Sequence, residues 1–475
     1  MEFADGWGAT RMVSDELGGF GDERLRRVGV RLLGAMRQQP SMCLHSLAED
    51  RNEALAFGCF LDNGSVSSSA MPVTAGRLTG QRVVGRHVLA IQDTTELNFP
   101  GHVASKHGFG RSGNGEDIGV FTHPTIAVGA GSGGVIGLVG AQVINRTGGK
   151  VVPRRQRPMV EKESQRWLKA AEEAGEVLSV AAMITVVGDR ESDIYEQFAR
   201  CHEGVQLLSR SAQDRVLMTG LALSQTFAHW PEQGRAMLAL PRIPGRLART
   251  ACVALRFGTV SLRRPQTADR QLAPSVALDV VEVSEVDPPA DVEPLRWRLL
   301  TTHAVRSLAD AQQIVAWYRL RGTIEQVFRT LKSAAMRAEE SQVTDVRGFT
   351  KLAIIGLIAA VRIVQIALGR DGTTGQSMLD VVDATAAPAL QAINRKVEGK
   401  TAALKNPHQP ASLAWLAWIV GRLGGWSGYT SRGYRPPGPK TIARGLARLD
   451  GLIEGWNIAV HYNIEPSRSA DVRLP

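Results

Sequence analysis

The chain has 475 residues, which is enough for about three domains and a large buried core. It carries 56 basic and 46 acidic residues, and this excess of positive charge suits a polyanionic partner such as nucleic acid. The four cysteines have no zinc-finger or disulfide-framework spacing, and the N-terminus lacks the apolar stretch of a signal peptide, so we expect a cytoplasmic protein.

Residues 1–75 are predicted to form a helical domain. Arg24, Arg27 and Arg31 share one face of a predicted helix, and apolar side chains share another face. A helix that is basic on one side can lie on DNA phosphates. The alternative is a helical cap without a DNA role, because the region also has many acidic residues.

Two aspartates, Asp93 and Asp189, each follow an apolar run that favours a β-strand. Carboxylates at strand ends are where α/β enzymes place their chemistry. Glu191 and Asp193 open the helix predicted after Asp189, and we interpret them as acids of a first helical turn rather than as ligands.

A basic, β-rich insertion is predicted at about 206–300. Between residues 235 and 270 the sequence has eight arginines and one acidic residue. We expect arginines of these strands, Arg256, Arg263 and Arg264 among them, to lie along a DNA backbone. Solubilising charge on loops is the alternative, but it would need interspersed acidic residues.

The segment 317–332 predicts a helix with two different faces. One face holds Tyr318, Arg321, Glu325 and Lys332, and a separate stripe of the helix is apolar. The polar face presents a carboxylate between two cations and a phenol. On spacing alone, a solvated helix with ordinary i,i+4 charges is the alternative.

The apolar run 352–361 is too short to span a membrane before Arg362, so it predicts a buried helix. In the tail, Trp415, Trp418 and their apolar neighbours lie at helical spacing. Such a cluster is typical of a partner surface. A helical cap on the preceding domain is the competing interpretation.

These motifs resemble the DDE transposases of bacterial insertion sequences. The polar face of 317–332 reproduces the Tyr-x2-Arg-x3-Glu-x6-Lys signature of the insertion-sequence-four family, to which the transposase of transposon Tn five belongs. The segments around Asp93 and Asp189 are similar to that family's first and second aspartate motifs, in the same order. Further similarity at 161–168, at 294–301 and in the Trp-rich end extends the resemblance over nearly the whole chain.

The resemblance implies an α/β fold with an RNase H-like catalytic domain at 76–370, which contains the β-rich insertion at 206–300. It also implies helical domains on both sides of this core. The N-terminal domain, 1–75, would bind the DNA ends, and the C-terminal domain, 371–475, would form a homodimer.

By the same resemblance, Asp93, Asp189 and Glu325 are the catalytic carboxylates and hold two Mg²⁺ ions, for which Mn²⁺ can substitute. Asp93 would bridge both ions, with Asp189 on one and Glu325 on the other. Cleavage of a phosphodiester needs an activated water and a stabilised leaving oxygen, which two such ions provide. Mg²⁺ prefers hard oxygen ligands of this type.

The resemblance also assigns DNA contacts. Arg321, Tyr318 and Lys332 would hold phosphates beside the scissile bond. Trp297 aligns with a tryptophan that receives a base flipped out of the duplex during hairpin formation. The sequence departs from the pattern at Gly322, where a relative carries a second tryptophan.

The implied function is cut-and-paste transposition by a bacterial, nucleoid-associated enzyme that is not in a membrane. It would nick double-stranded DNA at terminal inverted repeats, form hairpin ends and join the element to target DNA, acting as a homodimer in a synaptic complex. An RNase H-fold nuclease selective for DNA structure is one alternative, and a domesticated or inactive DNA-binding regulator is another. A sugar-active enzyme with paired carboxylates would leave the arginine run and Lys332 unexplained.

Overall fold

The computed structural model describes residues 17–18, 20–100, 105–112, 117–146, 164–240, 247–290, 292–332, 336–429 and 435–462. The chain divides into two compact units. One unit, here called the sheet unit, comprises residues 76–103 and 108–328. The other, called the helical unit, comprises residues 1–75, 104–107 and 329–475.

The strands of the sheet unit form one mixed sheet. They are β1 (His87–Gln92), β2 (Thr95–Asn98), β3 (Gly110–Ser112), β4 (Asp117–Gly129), β5 (Val135–Ile144), β6 (Met183–Gly188), β7 (Val205–Arg210), β8 (Gly234–Leu240), β9 (Arg249–Arg263), β10 (Ser275–Glu285) and β11 (Arg296–Thr301). Their order is β2-β4-β1-β6-β7-β11-β10-β9-β8, and β3 and β5 also pair with β4.

The α-helices of the described residues alternate with these strands in the sheet unit and make up most of the helical unit. They are α1 (Glu23–Gln38), α2 (Leu44–Leu47), α3 (Arg51–Asp62), α4 (Ala70–Gln81), α5 (Gln165–Val177), α6 (Tyr195–Ala199), α7 (Leu223–Ala228), α8 (Leu308–Arg319), α9 (Thr323–Lys332), α10 (Val346–Gly369), α11 (Ala387–Val397), α12 (Leu413–Leu423) and α13 (Pro439–His461).

The centre of the sheet is parallel, because β1 pairs with β6 and β6 pairs with β7 in the same direction. These three strands are short, apolar and almost completely buried, as is typical of parallel strands covered on both faces. Asp93 directly follows β1, and Asp189 directly follows β6. The parallel pairing therefore brings both aspartates to the same edge of the sheet.

The predicted β-rich insertion at 206–300 continues this sheet instead of forming a separate body. Strand β11 pairs antiparallel with β7, β10 pairs with β11, and β9 pairs with β10. The sheet unit thus combines the predicted mixed core and the β-rich segment in one hydrogen-bonded sheet.

The predicted buried helix at 352–361 is part of α10, which has 24 residues. By length and composition α10 could cross a membrane, but most of it is buried inside the helical unit, where it packs against α1, α3, α12 and α13. The Lys351 Nζ donates hydrogen bonds to the carbonyl oxygens of Leu61 (2.6 Å) and Asn63 (2.7 Å). We therefore interpret α10 as a core helix.

The domain boundary predicted at residue 370 differs from the observed division, in which residues 329–370 belong to the helical unit. The physical reason is the apolar surface of α10, which packs on helices from both ends of the chain. The N-terminal and C-terminal helices consequently share one unit.

The aromatic cluster predicted in the tail is buried, not exposed. Trp415 and Trp418 of α12 pack in a core formed with α10, α11 and α13. This position fits the interpretation of the cluster as internal packing and removes it as a partner surface. Large apolar side chains are exposed farther along, on α13, at Leu452, Trp456 and Val460. The homodimer remains a prediction.

Contrary to the prediction, Asp193 is not an acid of a first helical turn, because it follows the 3-10 turn Arg190–Ser192 and precedes α6. Its structural role is instead an ion pair. Its Oδ1 accepts a hydrogen bond from Arg215 Nε at 2.7 Å, and its Oδ2 accepts from the backbone N–H of Ala212 at 2.9 Å. Both charged side chains are buried. The ion pair ties the turn after β6 to the segment after β7.

Replacing Asp193 by Ala should therefore be strongly destabilising. The Arg215 guanidinium would stay buried without its counter-charge, which costs about 3–5 kcal/mol of unfolding free energy. As a control, Asp269→Ala breaks an exposed pair with Arg200 and should cost about 1 kcal/mol or less. Urea unfolding followed by circular dichroism measures both, and equal losses in the two variants would contradict the structural role of Asp193.

Candidate active site

The two strand-end aspartates are set by the register of the parallel sheet. Ile91 of β1 lies opposite Val187 of β6, and each aspartate follows two residues later. The Asp189 carboxylate accepts the backbone N–H of Glu191 at 2.8 Å and so caps the 3-10 turn Arg190–Ser192. This capping fixes where the Asp189 side chain leaves the sheet.

Arg321 joins two of the predicted catalytic carboxylates. Its Nη1 donates to Asp93 Oδ2 at 2.6 Å, and its Nη2 donates to Glu325 Oε1 at 3.0 Å. The Arg321 side chain is largely buried, whereas the Glu325 side chain is 54% exposed. One guanidinium therefore bridges two carboxylates that come from distant parts of the sequence.

The helix predicted over 317–332 is interrupted at this point. Helix α8 ends at Arg319, a 3-10 turn covers Leu320–Gly322, and α9 starts at Thr323. Gly322 has a low helix propensity, which is the physical reason for a break at this position. Tyr318 and Glu325 thus lie on two successive helices, and Arg321 lies on the turn between them.

Asp93 is the most perturbed carboxylate of the site. Burial raises the pKa of Asp93 from 3.8 to about 6, although the Arg321 charge opposes the shift. The nearby charges of Asp189 and Glu325 raise the pKa of Asp93 further. Three carboxylates therefore interact electrostatically here, and the single guanidinium does not fully compensate them.

A hydrogen-bond network behind Asp93 was not predicted. The Thr94 N–H donates to Asp93 Oδ1 at 2.8 Å, and Thr94 Oγ1 lies 2.9 Å from His123 Nδ1. Arg166 Nε donates to Thr94 Oγ1 at 3.0 Å, and its Nη2 pairs with Glu191 at 2.6 Å. Burial lowers the pKa of His123 to about 3, with Arg166 contributing, so the imidazole is neutral. The network fixes the backbone and side chain beside Asp93.

Tyr318 and Trp297 line the same site. The Tyr318 phenol is buried, which raises its pKa, and its hydroxyl shares a hydrogen bond with Arg210 at the end of β7. The Trp297 ring lies edge-on to the Tyr318 ring at a centroid distance of 5.2 Å. Arg210 was missed by the sequence reasoning, because only the pairing of β7 with β6 brings it close to Asp189.

Lys332 lies in the helical unit, at the last residue of α9. Its Nζ is 3.4 Å from the carboxylate of Glu339. This ion pair occupies the amine in the structure, so the phosphate contact predicted for Lys332 stays a prediction.

The arginines predicted on the first helix do share an exposed face of α1. Arg27 lies 3.5 Å from Glu23, and Arg31 forms an ion pair with Glu53. The backbone N–H of Arg24 is held by the helix cap Asp22, and its side chain is exposed. Two of the three predicted DNA contacts thus have acidic neighbours.

The arginines of the insertion are neutralised more than the local sequence indicated. The antiparallel register places Arg256 opposite Glu282, and the two side chains pair at 3.6 Å. The Arg264 Nη1 donates to the carbonyl oxygens of Arg270 (2.7 Å) and Leu272. Arg263 is exposed. Acidic and carbonyl groups on neighbouring segments thus satisfy Arg256 and Arg264 in the structure, and the DNA contacts predicted for these arginines stay predictions.

The donor set of the site suits a divalent cation. Asp93, Asp189 and Glu325 offer only carboxylate oxygens, the ligands that Mg²⁺ prefers. Burial is the main cause of the raised pKa of Asp93, and the charges of Asp189 and Glu325 add to it, so a cation at this position would offset both effects. Within the described residues, no three acidic, histidine or cysteine side chains converge closely enough to hold a metal. The Arg321 guanidinium stands between two of the carboxylates instead.

The burial of Asp93 predicts a pH-dependent stability of the protein in EDTA. Its folded-state pKa of about 6 lies above the ordinary value of 3.8, so its stabilising contribution is complete below pH 3.8 and is lost as the pH rises through 6. Asp93→Asn should therefore be more stable than the wild type at pH 7.5, by about 1–3 kcal/mol, with a gap that closes toward pH 4. Urea unfolding between pH 4 and 8 measures the gap, and a gap independent of pH would refute the assignment.

The comparison with known families agrees with this geometry. Residues 164–362 match the family model of the transposase DDE domain. The matched segment contains Asp189, Trp297, Tyr318, Arg321 and Glu325, and Asp93 precedes it. Over this segment the chain is similar to the transposase DDE domain, and the match supports a DDE transposase.

Proposed function

We propose that the protein is a cut-and-paste DNA transposase whose centre consists of Asp93, Asp189 and Glu325. The observation that carries the proposal is the Arg321 guanidinium, which binds Asp93 and Glu325 together at the edge where Asp189 also emerges. A buried carboxylate with a raised pKa is costly for stability, and such groups cluster at functional sites. The match to the transposase DDE domain supports the assignment to the transposases.

Asp93, Asp189 and Glu325 would hold Mg²⁺, which when bound supplies an activated water and stabilises the leaving oxygen. The chain's own residues position the DNA around these carboxylates. The Arg321 fork can release the carboxylates and bind the oxygens of a phosphate next to the scissile bond, since carboxylate and phosphate both offer two anionic oxygens to a guanidinium. The Thr94 N–H and the network behind it keep Asp93 in place.

Tyr318 and Trp297 support the hairpin step of the proposal. Trp297 is partly exposed and braced by the Tyr318 ring, so its free surface can stack on a base, with a gain of about 1–3 kcal/mol. At Gly322, beside Arg321, an added Cβ would meet no atom within 4 Å. The site therefore has open space where a relative carries a second tryptophan.

The other residues that we propose to contact DNA differ in the ion pairs that they make in the structure. Arg24 and Arg263 are exposed and offer their charges most directly. Arg27, Arg31 and Lys332 would exchange a carboxylate partner for a phosphate. Binding to terminal inverted repeats and assembly of a homodimeric synaptic complex belong to the proposed function.

The test is a cleavage assay on a duplex that carries the element's own ends. With Mg²⁺ the wild type should give nicked strands on a denaturing gel and then hairpin ends, and EDTA should prevent both. Glu325→Gln should lose both products, whereas Glu454→Gln, at an exposed position of α13, should retain them. Binding of the ends without any cleavage would support the regulator instead, and cleavage that ignores the terminal repeats would support a structure-selective nuclease.

A further inference from the structure

A groove of about 810 Å³ lies in the helical unit, away from the strand-end carboxylates in sequence. One wall is the end of α1 with the segment through α2, and the other is the first half of α13. Among the described residues that line it, the charged ones are four cations and one acid, namely Arg337, Lys440, Arg444, Arg448 and Glu49. The groove is therefore strongly basic.

The cations of α13 form a regular row. Lys440, Arg444 and Arg448 are spaced four residues apart, so they share one face of the helix. Their spacing along the helix axis is about 6 Å, and the row is about 12 Å long. All three side chains are exposed. The row thus presents three charges to the groove at even intervals.

The three cations of this row have no carboxylate partner among the described residues. In the described part of the chain, Lys440 and Arg444 have no ion pair, and the Arg448 Nη1 donates only to the carbonyl oxygen of Leu423, at 2.6 Å. By contrast, Arg256 pairs with Glu282. Arg337, another cation that lines the groove, pairs with Glu340 at 3.1 Å. The positive charge of α13 is therefore available to a ligand.

The opposite wall offers neutral hydrogen-bonding groups. Gln38 and Gln39 contribute side-chain amides, and Ser41 and Ser46 contribute hydroxyls. Amides and hydroxyls accompany Arg and Lys where proteins contact the phosphates and sugars of DNA. No aromatic side chain is among the described residues that line the groove, so these residues offer neither a base-stacking platform nor the aromatic anchor typical of a protein interface.

We propose that this groove binds the phosphate backbone of duplex DNA, independently of base sequence and of metal. A row about 12 Å long corresponds to about three or four phosphates of one strand at about 3.4 Å per strand phosphate along the duplex axis. The proposal rests on the proposed function for the choice of DNA as the polyanion. It assigns a DNA contact to α13, a helix that the sequence reasoning connected only with packing or dimer formation.

The test measures how DNA binding depends on salt. Fluorescence anisotropy in EDTA, with an unrelated labelled duplex that lacks the terminal repeats, gives the affinity from low salt to 1 M. Lys440→Gln with Arg444→Gln should lower the slope of log affinity against log salt by about 2, because two phosphate contacts are lost. At 0.1 M salt the double variant should bind at least about 10-fold more weakly, and the two proteins should converge near 1 M.

Two matched double variants serve as controls. Arg395→Gln with Lys396→Gln removes the same charge from exposed positions of α11 and should keep the wild-type slope. Lys440→Arg with Arg444→Lys conserves the charge of the groove and should also keep it. A lower slope in this conservative variant as well would point to a structural role of Lys440 and Arg444 and would overturn the proposal. If Lys440→Gln with Arg444→Gln weakens the binding of a polyglutamate peptide more than the binding of DNA, the groove is a site for acidic proteins. That result would also overturn the proposal.

Different experimental results would refute the DNA-binding role of the groove and the proposed function. A wild-type slope in Lys440→Gln with Arg444→Gln, together with Mg²⁺-dependent cleavage by the wild type, refutes the groove and leaves the transposase intact. A reduced slope, together with a wild type that never cuts, supports the groove and refutes the transposase.

Discussion

Asp93→Asn is expected to abolish DNA cleavage, with a loss on the order of 10³-fold or more, while DNA binding is retained. The asparagine keeps the size of the side chain but removes the buried negative charge around which Asp189, Glu325 and Arg321 are arranged. A bound cation stabilises the transition state by several kcal/mol, and about 1.4 kcal/mol corresponds to a factor of ten in rate. Single-turnover cleavage of a labelled duplex under saturating protein measures the loss.

The control for this variant is Asp269→Asn, at an exposed aspartate paired with Arg200. It should cleave at the wild-type rate. Anisotropy of the same duplex checks that Asp93→Asn still binds DNA, so that the loss lies in the chemical step. Residual cleavage within about 10-fold of the wild type would remove Asp93 from the catalytic centre.

Arg321→Ala should have the second-largest effect, a loss of about 10²–10³-fold in cleavage rate. Loss of one well-placed donor to a developing charge has this size in other enzymes. Arg321→Lys should recover little, because an ammonium ion lacks the planar fork that spans Asp93 and Glu325 or two phosphate oxygens. Single-turnover rates of both variants measure the effect.

A second readout separates this role from a purely structural one. The Arg321 charge holds the pKa of Asp93 down, so Arg321→Ala should move the pH at which metal-free protein loses stability above 6. Arg319→Ala is the matched control, since Arg319 is exposed and, among the described residues, its side chain donates to a carbonyl oxygen, that of Ala239 at 2.9 Å, and not to a carboxylate. An unchanged pH midpoint in Arg321→Ala would contradict the proposed coupling of Arg321 to Asp93.

The strand-end positions of Asp93 and Asp189 could be predicted, because each apolar run carries a local signal for a buried strand. Local patterns do not say which strands become neighbours. The parallel pairing of β1, β6 and β7 is a long-range property. The closeness of Arg210 to the site depends on this pairing and therefore could not be predicted from the sequence. The Arg166, Thr94 and His123 network has the same origin, since its members come from three separate segments.

The ion pairs of the β-rich insertion could not be predicted from local patterns either. Along the sequence, Arg256 stands in a stretch that is nearly free of acidic residues, and this suggested a free basic surface. In the sheet, its nearest carboxylate belongs to Glu282 on the next strand, which only the register specifies. The tail is similar, because helical spacing shows that Trp415 and Trp418 share an apolar face but not that α13 covers it.

Diffraction from crystals grown with Mn²⁺ is the most direct test of the claim that the three carboxylates form one metal-dependent centre. Anomalous peaks are expected at about 2.1 Å from carboxylate oxygens of Asp93, Asp189 and Glu325, with the Arg321 guanidinium moved away from its position between Asp93 and Glu325. Peaks elsewhere, or none, with Arg321 still bound to both carboxylates at millimolar Mn²⁺, would contradict the claim.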